Sequence, residues 1–229
     1  NWTAQSPPTT NILTSVFFTS ADTGYAVGTG GTVIKTIDGG TNWIAQTSGV
    51  LPTYDMRSVY FTSADTGYAV GFEIMGPPPA GTSLILKTTD AGINWTAQSP
   101  PTSNILYSVY FTSADTGYAV GAGAAGIILK TTNGGTNWLV DSAYNKTLSS
   151  IYFINNDTGY VTANYSYISG GIDTAIIFKT INGGNTFFTI KKDSKFPRLF
   201  YTNIQFTDAK TGFFVNSSAD SDKNGIYKT

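Results

Sequence analysis

The chain has 229 residues, 41% hydrophobic, 14% aromatic and 12% charged, with 13 basic and 14 acidic side chains and neither His nor Cys. A chain of this length buries roughly 70% of its unfolded surface, so its core needs no disulfide or metal staple. The missing residue types exclude haem, iron–sulfur and structural or catalytic zinc sites, thiol nucleophiles and every His-dependent triad. A net charge of −1 leaves no electrostatic footprint for nucleic acid or an anionic membrane. No apolar run approaches the ~20 residues of a spanning helix, so direct membrane insertion is not expected. Asn1 to Thr10 lacks the basic and apolar regions of a signal peptide, and an Asn at the first position reads as a mature, processed or truncated product.

Internal repetition dominates the chain. Asn1 to Gly28 (NWTAQSPPTTNILTSVFFTSADTGYAVG) and Asn94 to Gly121 (NWTAQSPPTSNILYSVYFTSADTGYAVG) differ at three positions. A shorter pattern, an aromatic pair, a polar turn, then Gly-Tyr or Gly-Phe, recurs at Phe17 to Val27, Tyr60 to Val70, Tyr110 to Val120, Tyr152 to Val161 and Gln205 to Val215. Within the first unit, Leu13 to Thr19 is β-branched and aromatic, Ser20 to Gly24 is a turn, and Tyr25 to Val27 is a second strand. Thr32 to Thr36 forms a third strand, Asp38-Gly39-Gly40 turns, and Trp43 to Gln46 forms a fourth. No stretch has apolar residues at helical spacing with caps, so no helix is expected. The aromatic that closes each unit, at positions 43, 95, 138 and 187, recurs every 52, 43 and 49 residues, a period that suits four strands. The expected architecture is all-β: a five-bladed β-propeller of four-stranded antiparallel blades, spanning approximately 6–46, 47–98, 99–141, 142–190 and 191–229 plus 1–5.

The termini carry a further expectation. Ile226-Tyr227-Lys228-Thr229 matches the third strand at Val33 to Thr36, while Asn1-Trp2 matches Asn42-Trp43 at the start of a fourth. The fifth blade is therefore expected to take its outer strand, Trp2 to Gln5, from the N-terminus, which closes the ring and covers an exposed edge. The alternative is a window cut from a longer array of blades.

Four segments, Thr36 to Trp43, Thr88 to Trp95, Thr131 to Trp138 and Thr180 to Phe187, resemble the Asp-box of bacterial neuraminidase repeats. The whole unit, including Ser108 to Gly121, is similar to the photosystem II assembly-factor-like repeats of secreted Bacteroidetes proteins. The resemblance implies a propeller, but such propellers include hydrolases, lectin-like modules and scaffolds. Within each box, Asp38, Asp90, Asn133 and Asn182 are read as turn-holding acceptors. Trp43, Trp95, Trp138 and Phe187 are read as the aromatics that cover the hairpin. The sialidases that share this repeat imply an arginine triad, which cannot be built from Arg57 and Arg198 alone. A glycosidase needs a carboxylate pair, and nothing pairs Glu73, the only Glu, with any Asp outside the turns.

Departures from the repeat gather on the rim opposite the Asp-boxes. There Tyr54, Arg57, Phe72, Glu73, Met75, Tyr165, Tyr167, Lys195, Phe196 and Arg198 form the candidate ligand-binding set, with exposed aromatics suited to a sugar face or a protein partner. Asp220, Asp222 and Asn224 match the front half of a calcium loop without its closing Glu, and a polar Asn-Gly hairpin turn explains the same residues. No other cofactor is expected. Ser142 and Thr174 sit in Asp-Ser-Ala and Asp-Thr-Ala triplets that resemble Bacteroidetes O-glycosylation sites. The functional expectation is a non-catalytic, secreted or cell-surface binding, adhesion or display propeller whose partner is a cell-surface protein or glycan. The alternatives are a lectin-like or glycoside-hydrolysing propeller and, third, an assembly factor that docks a membrane-protein partner.

Overall fold

The structure, a computed structural model, describes residues 3–74, 82–123, 125–165, 174–193, 200–217 and 225–229. These residues form strands and turns, with no helix among them. Blade one comprises β1 (Leu13–Phe18), β2 (Gly24–Gly28), β3 (Val33–Thr36) and β4 (Ile44–Gln46), and blade two β5 (Tyr54–Phe61), β6 (Gly67–Glu73), β7 (Ser83–Thr88) and β8 (Thr96–Gln98). Blade three comprises β9 (Ile105–Phe111), β10 (Gly117–Ala122), β11 (Gly126–Thr131) and β12 (Leu139–Tyr144). Blade four comprises β13 (Thr147–Phe153), β14 (Gly159–Tyr165), β15 (Thr174–Thr180) and β16 (Phe188–Asp193), and blade five β17 (Phe200–Phe206), β18 (Gly212–Ser217) and β19 (Gly225–Lys228). Each blade is an antiparallel meander in sequence order. The first strands β1, β5, β9, β13 and β17 line a shared central channel, which gives the five-bladed propeller that the repeats predict.

Among the described residues the fifth sheet has three strands. Thr3 to Gln5 makes no ladder pairing, and Gln5 and Pro7 line a cleft beside blade one together with Val16 and Trp43. Asn1 and Trp2, with which the expected closing strand begins, lie outside the described residues.

The core is a series of joints in which each blade presses one face on the next. Tyr25, Val27 and Val33 of blade one pack against Met56, Val59, Phe61 and Trp95 of blade two, and the same set recurs at the following joints. At each joint a tyrosine of the second strand stacks on the next blade's inner phenylalanine: Tyr25 on Phe61 and Tyr68 on Phe111 at 4.0 Å, Tyr118 on Phe153 at 4.5 Å and Tyr160 on Phe206 at 4.3 Å. The tyrosine hydroxyl then donates to a carbonyl in the next blade's Asp-box turn: Tyr25 to Ala91 (2.9 Å), Tyr68 to Gly134 (2.8 Å) and Tyr118 to Gly183 (2.7 Å). Lys35, Lys87 and Lys130 donate to the same three carbonyls. Burial of an aromatic ring whose hydroxyl stays satisfied explains why tyrosine rather than phenylalanine recurs there. The last glycine of the boxes in blades two, three and four admits that ring. A Cβ on Gly92, whose φ is +79°, would stand 2.9 Å from the Tyr25 ring, so both backbone and space favour glycine.

Candidate binding site at the channel mouth

The Asp-box turns form the rim opposite the mouth. Asp38 accepts from the Asn42 backbone, the Asn42 side chain and the Thr36 hydroxyl, each at 2.8 Å, and Asp90 repeats the arrangement. Led by the backbone bond from Asn42 or Asn94, these contacts hold both carboxyls below their ordinary value. Asn133 and Asn182 accept the corresponding bonds in blades three and four. Trp95 and Trp138 meet Phe61 and Phe111 edge-on at 6.0 and 5.9 Å, Trp43 meets Phe18 in the same way, and Phe187 packs beside the third joint. The backbone carbonyls of Asp22, Asp65, Asp115 and Asp157 pin the neighbouring Asp-box turns at 2.9 Å. The polar side chains on this rim are thus engaged in holding hairpins.

The other end of the channel is built differently. In all five blades the ladder between the first and second strands slips by one residue at the same place, next to Leu13, Met56, Leu106, Leu148 and Tyr201. The skipped residues are Thr14, Arg57, Tyr107, Ser149 and Thr202. Such a bulge re-aims the extra residue, and all five line a cavity of about 520 Å³ at the mouth, together with Thr147 and Asn164. Two residues further along each strand, the backbone N–H of Val59, Val109 and Ile151 donates to Ser15, Ser58 and Ser108 of the preceding blade, which fixes the spacing of the strands. Deeper still, Phe17, Tyr60, Tyr110 and Tyr152 form a girdle with ring centroids 4.9–5.1 Å apart, broken by Gln205. The hydroxyls of Tyr60, Tyr110 and Tyr152 each bond the next blade's phenylalanine carbonyl, and burial pushes the Tyr60 and Tyr110 hydroxyls up.

Arg57 dominates the mouth's electrostatics. Its guanidinium pairs with Asp55 at 3.3 Å and lies 5.0 Å from the centre of the Phe72 ring, a cation–π contact. Its Nε is buried with no hydrogen-bond partner among the described residues. Asp55 also accepts from the Gly30 N–H, which anchors the pair to blade one. Burial raises the Tyr107 hydroxyl, and Arg57 pulls it back. Around the arginine stand the hydroxyls of Thr14, Tyr107, Thr147, Ser149 and Thr202 and the amide of Asn164. In the described lining Arg57 is the one cation and there is no carboxylate, while the Thr14 and Thr202 hydroxyls donate to the Met56 and Val215 carbonyls and the Asn164 amide donates to Ser149. The lining suits a ligand rich in carbonyl or carboxylate oxygen.

Of the residues expected on this rim, the structure brings Tyr54, Arg57, Phe72 and Glu73 together on blade two. Tyr54 and Glu73 are ladder partners, and burial followed by the Glu73 charge raises the Tyr54 hydroxyl. Arg57 alone of the four lines the mouth cavity. Tyr165 ends β14 opposite Thr174 at the start of β15, and Ser142 lies in β12 opposite Ile128. Met75, Tyr167, Lys195, Phe196, Arg198, Asp220, Asp222 and Asn224 lie outside the described residues. Among those described, no cluster of three or more acidic side chains is arranged to hold a metal ion, and no helix is long and apolar enough to cross a membrane. Thr14, Tyr107, Thr147, Ser149, Asn164 and Thr202 are missed by reasoning from variable loops. For Thr14 and Tyr107 the signal lies in the duplication: its three differences are Thr10 against Ser103, Thr14 against Tyr107 and Phe17 against Tyr110, and the last two pairs line the channel.

A ring of Asp-box blades around a channel, polar at one mouth and girdled by aromatics at depth, defines a repeat-built β-propeller. The family model described as photosynthesis system II assembly factor YCF48 matches residues 1–99 and 93–199. The chain belongs to that family. A search of curated protein sequences gave no match. Among solved structures, YCF48 bound to a D1 peptide is similar at a TM-score of 0.52 and 17% identity, over 92% of each chain. A protein of unknown function from Dyadobacter fermentans is similar at 0.65 and 13% identity, over 93% of this chain and 74% of that one. The GH74 xyloglucanase of Xanthomonas campestris is similar at 0.71 and 12% identity, and 95% of this chain spans only 36% of that enzyme. At these identities the solved structures attest to the fold.

Proposed function

We propose that the protein is a non-catalytic docking propeller that holds an extended segment of a partner protein at the channel mouth. One observation carries the reading: the inner-strand position that the bulge turns into the mouth reads Thr, Arg, Tyr, Ser and Thr around the ring, on an otherwise repeating framework. Variation at a convergent position is what a binding site on a repeat scaffold requires. The Arg57 guanidinium and the Tyr107 hydroxyl at the mouth suit the carbonyls of an extended peptide. Family membership and the peptide held by the YCF48 propeller support the same class of partner. The non-catalytic reading is supported by membership of a family described as an assembly factor. Display outside the cell, as a binding or adhesion module, belongs to the same proposal and rests on the resemblance to repeats of secreted proteins.

The test is saturation binding of the 229-residue protein to tiled peptide and glycan arrays, with and without a calcium chelator. Specific peptide binding is expected, unaffected by chelation and weakened about tenfold or more by Arg57→Ala or Tyr107→Ala, the size of a hot-spot truncation. A blank peptide array with glycan hits, or peptide binding indifferent to both substitutions, would sink the reading.

A further inference from the structure

The four Asp-boxes treat their own side chains differently. In blades one and two the carboxylates of Asp38 and Asp90 capture the Asn42 and Asn94 side chains, each Nδ2 donating at 2.8 Å. In blade four Asn182 Nδ2 donates to the Thr186 hydroxyl at 2.9 Å. Blade three has asparagine at both positions, Asn133 and Asn137. Asn133 Oδ1 accepts from the Thr131 hydroxyl and the Asn137 backbone, as in the other turns. Among the described residues, however, neither Asn133 Nδ2 nor either polar atom of the Asn137 side chain has a hydrogen-bond partner. Replacing the box aspartate by asparagine has released two carboxamides from the turn.

Both asparagines line a cavity of about 400 Å³ on the Asp-box rim, together with Lys130, Leu139, Val140 and Asp141. Asp141 reaches it through a bulge. The ladder between β11 and β12 pairs Ile128 with Ser142 and then Leu129 with Val140, so the residue between them is skipped and re-aimed. The third residue after the closing aromatic is Gln46 or Gln98 in blades one and two, paired without a slip, and in blade four the skipped residue is Ile190. A carboxylate beside two released carboxamides is therefore particular to blade three among the described boxes. Partial burial raises the Asp141 carboxyl, and Lys130 pulls it back. Lys130 itself donates to the Gly183 carbonyl and to Asn185 Oδ1 across the joint, which fixes its position at the wall. Leu139 and Val140 stand exposed beside these polar groups.

We infer that this cavity is a second binding site, which takes an uncharged pyranose unit of a glycan. Its volume falls in the range of small-molecule sites, roughly 300–1,000 Å³. Each hydroxyl of a vicinal diol is both donor and acceptor, and the wall supplies both kinds of partner. The Nδ2 groups of Asn133 and Asn137 donate, while Asn137 Oδ1 and the Asp141 carboxylate accept. Leu139 and Val140 meet the C–H face of the sugar ring. The Lys130 ammonium repels a metal cation and the Asp141 carboxylate repels phosphate or sulfate, so the opposed charges favour a neutral polar ligand. The site lies on the rim opposite the channel mouth, shares no described lining residue with it and does not rest on the function proposed there.

The probes are the methyl glycosides of glucose, galactose, mannose and N-acetylglucosamine, titrated against the intact protein and followed by saturation-transfer NMR. Saturable binding of at least one is expected. Asn133→Asp is the sharpest variant, because it installs the pairing that blades one and two already use. The turn should keep its stability, with a melting temperature within a few degrees of the parent's, yet the new carboxylate recaptures the Asn137 side chain and sugar binding should weaken about tenfold or more. Asp141→Ala, at an exposed position, should weaken it to a similar extent. Absence of saturable binding by all of these glycosides, or binding indifferent to both substitutions, would overturn the inference. So would a sugar signal abolished by Arg57→Ala, since the ligand would then sit at the channel mouth.

Discussion

Residues 13–28 and 106–121 are nearly the same peptide in two settings. Leu106, Val109 and Phe111 are buried to 3% exposure or less, whereas Leu13, Val16 and Phe18, identical residues in the same strand and register, are 38–59% exposed. Propensity and alternation are identical in the two copies, so the difference comes wholly from the neighbour. Blade two covers blade three with Tyr68, Val70 and Ile85, while among the described residues no tyrosine packs on Phe18 of blade one. Strand formation is thus local in this protein, and burial belongs to the joint.

The largest expected effect separates the two phenylalanines. Phe111→Ala removes a ring enclosed by Tyr60, Tyr68 and Trp138, at a cost of about 3–5 kcal/mol, which for a chain of this size lowers Tm by roughly 6–20 °C. Phe18→Ala should cost about 1 kcal/mol and a few degrees. Equal losses in thermal unfolding would show that Phe18 is packed as tightly as Phe111 and would break the comparison.

A smaller change isolates the hydroxyl. Tyr68→Phe keeps the stacked ring but leaves the Gly134 carbonyl to Lys87 alone, and so imitates blade five, where Phe213 stands in place of the tyrosine. The expected loss is about 1 kcal/mol, visible in the denaturant midpoint at an unchanged m-value. No loss would mean that the hydroxyl is immaterial to the joint.

The smallest effect is in the acid limb. Hydrogen bonds from Asn42 and Asn94 hold Asp38 and Asp90 below the ordinary carboxylate value of 3.8. Their contribution is full above the unfolded value and disappears as pH falls through the lower folded one. Replacing both by Asn, which blades three and four already use, should flatten the loss of stability below about pH 4. A double variant whose acid unfolding midpoint coincides with the parent's would assign that limb to other carboxylates, such as Asp208, held low by the Lys210 and Thr211 backbone.

The fold was legible because five copies repeated the same alternation and turn chemistry, so that observed bounds such as Leu13–Phe18 and Val33–Thr36 fall within a residue or so of those read from the pattern. The Asp-box roles were legible because Asp38 and its counterparts bond within four residues of themselves. The mouth was harder to see. Thr14, Arg57, Tyr107, Ser149 and Thr202 reach it through a one-residue slip in a ladder, and a slip leaves no mark on a hydrophobic pattern. Reasoning from insertions drew attention to the long loops and found Arg57 alone of the mouth residues. The exposed face of blade one was equally hidden, since nothing in the string LTSVFF says which face will meet a tyrosine.

The joints also have a direction. Each donating tyrosine and lysine belongs to one blade, and the accepting carbonyl and phenylalanine belong to the next. A single unit carries both halves, one on each side, like a link with its own hook and eye. Copying such a unit within a gene therefore inserts a piece that fits its new neighbours without any further substitution. The near-identity of residues 1–28 and 94–121 is the kind of trace such copying leaves, and the hydroxyls lost from blade five are where the linkage stops repeating itself.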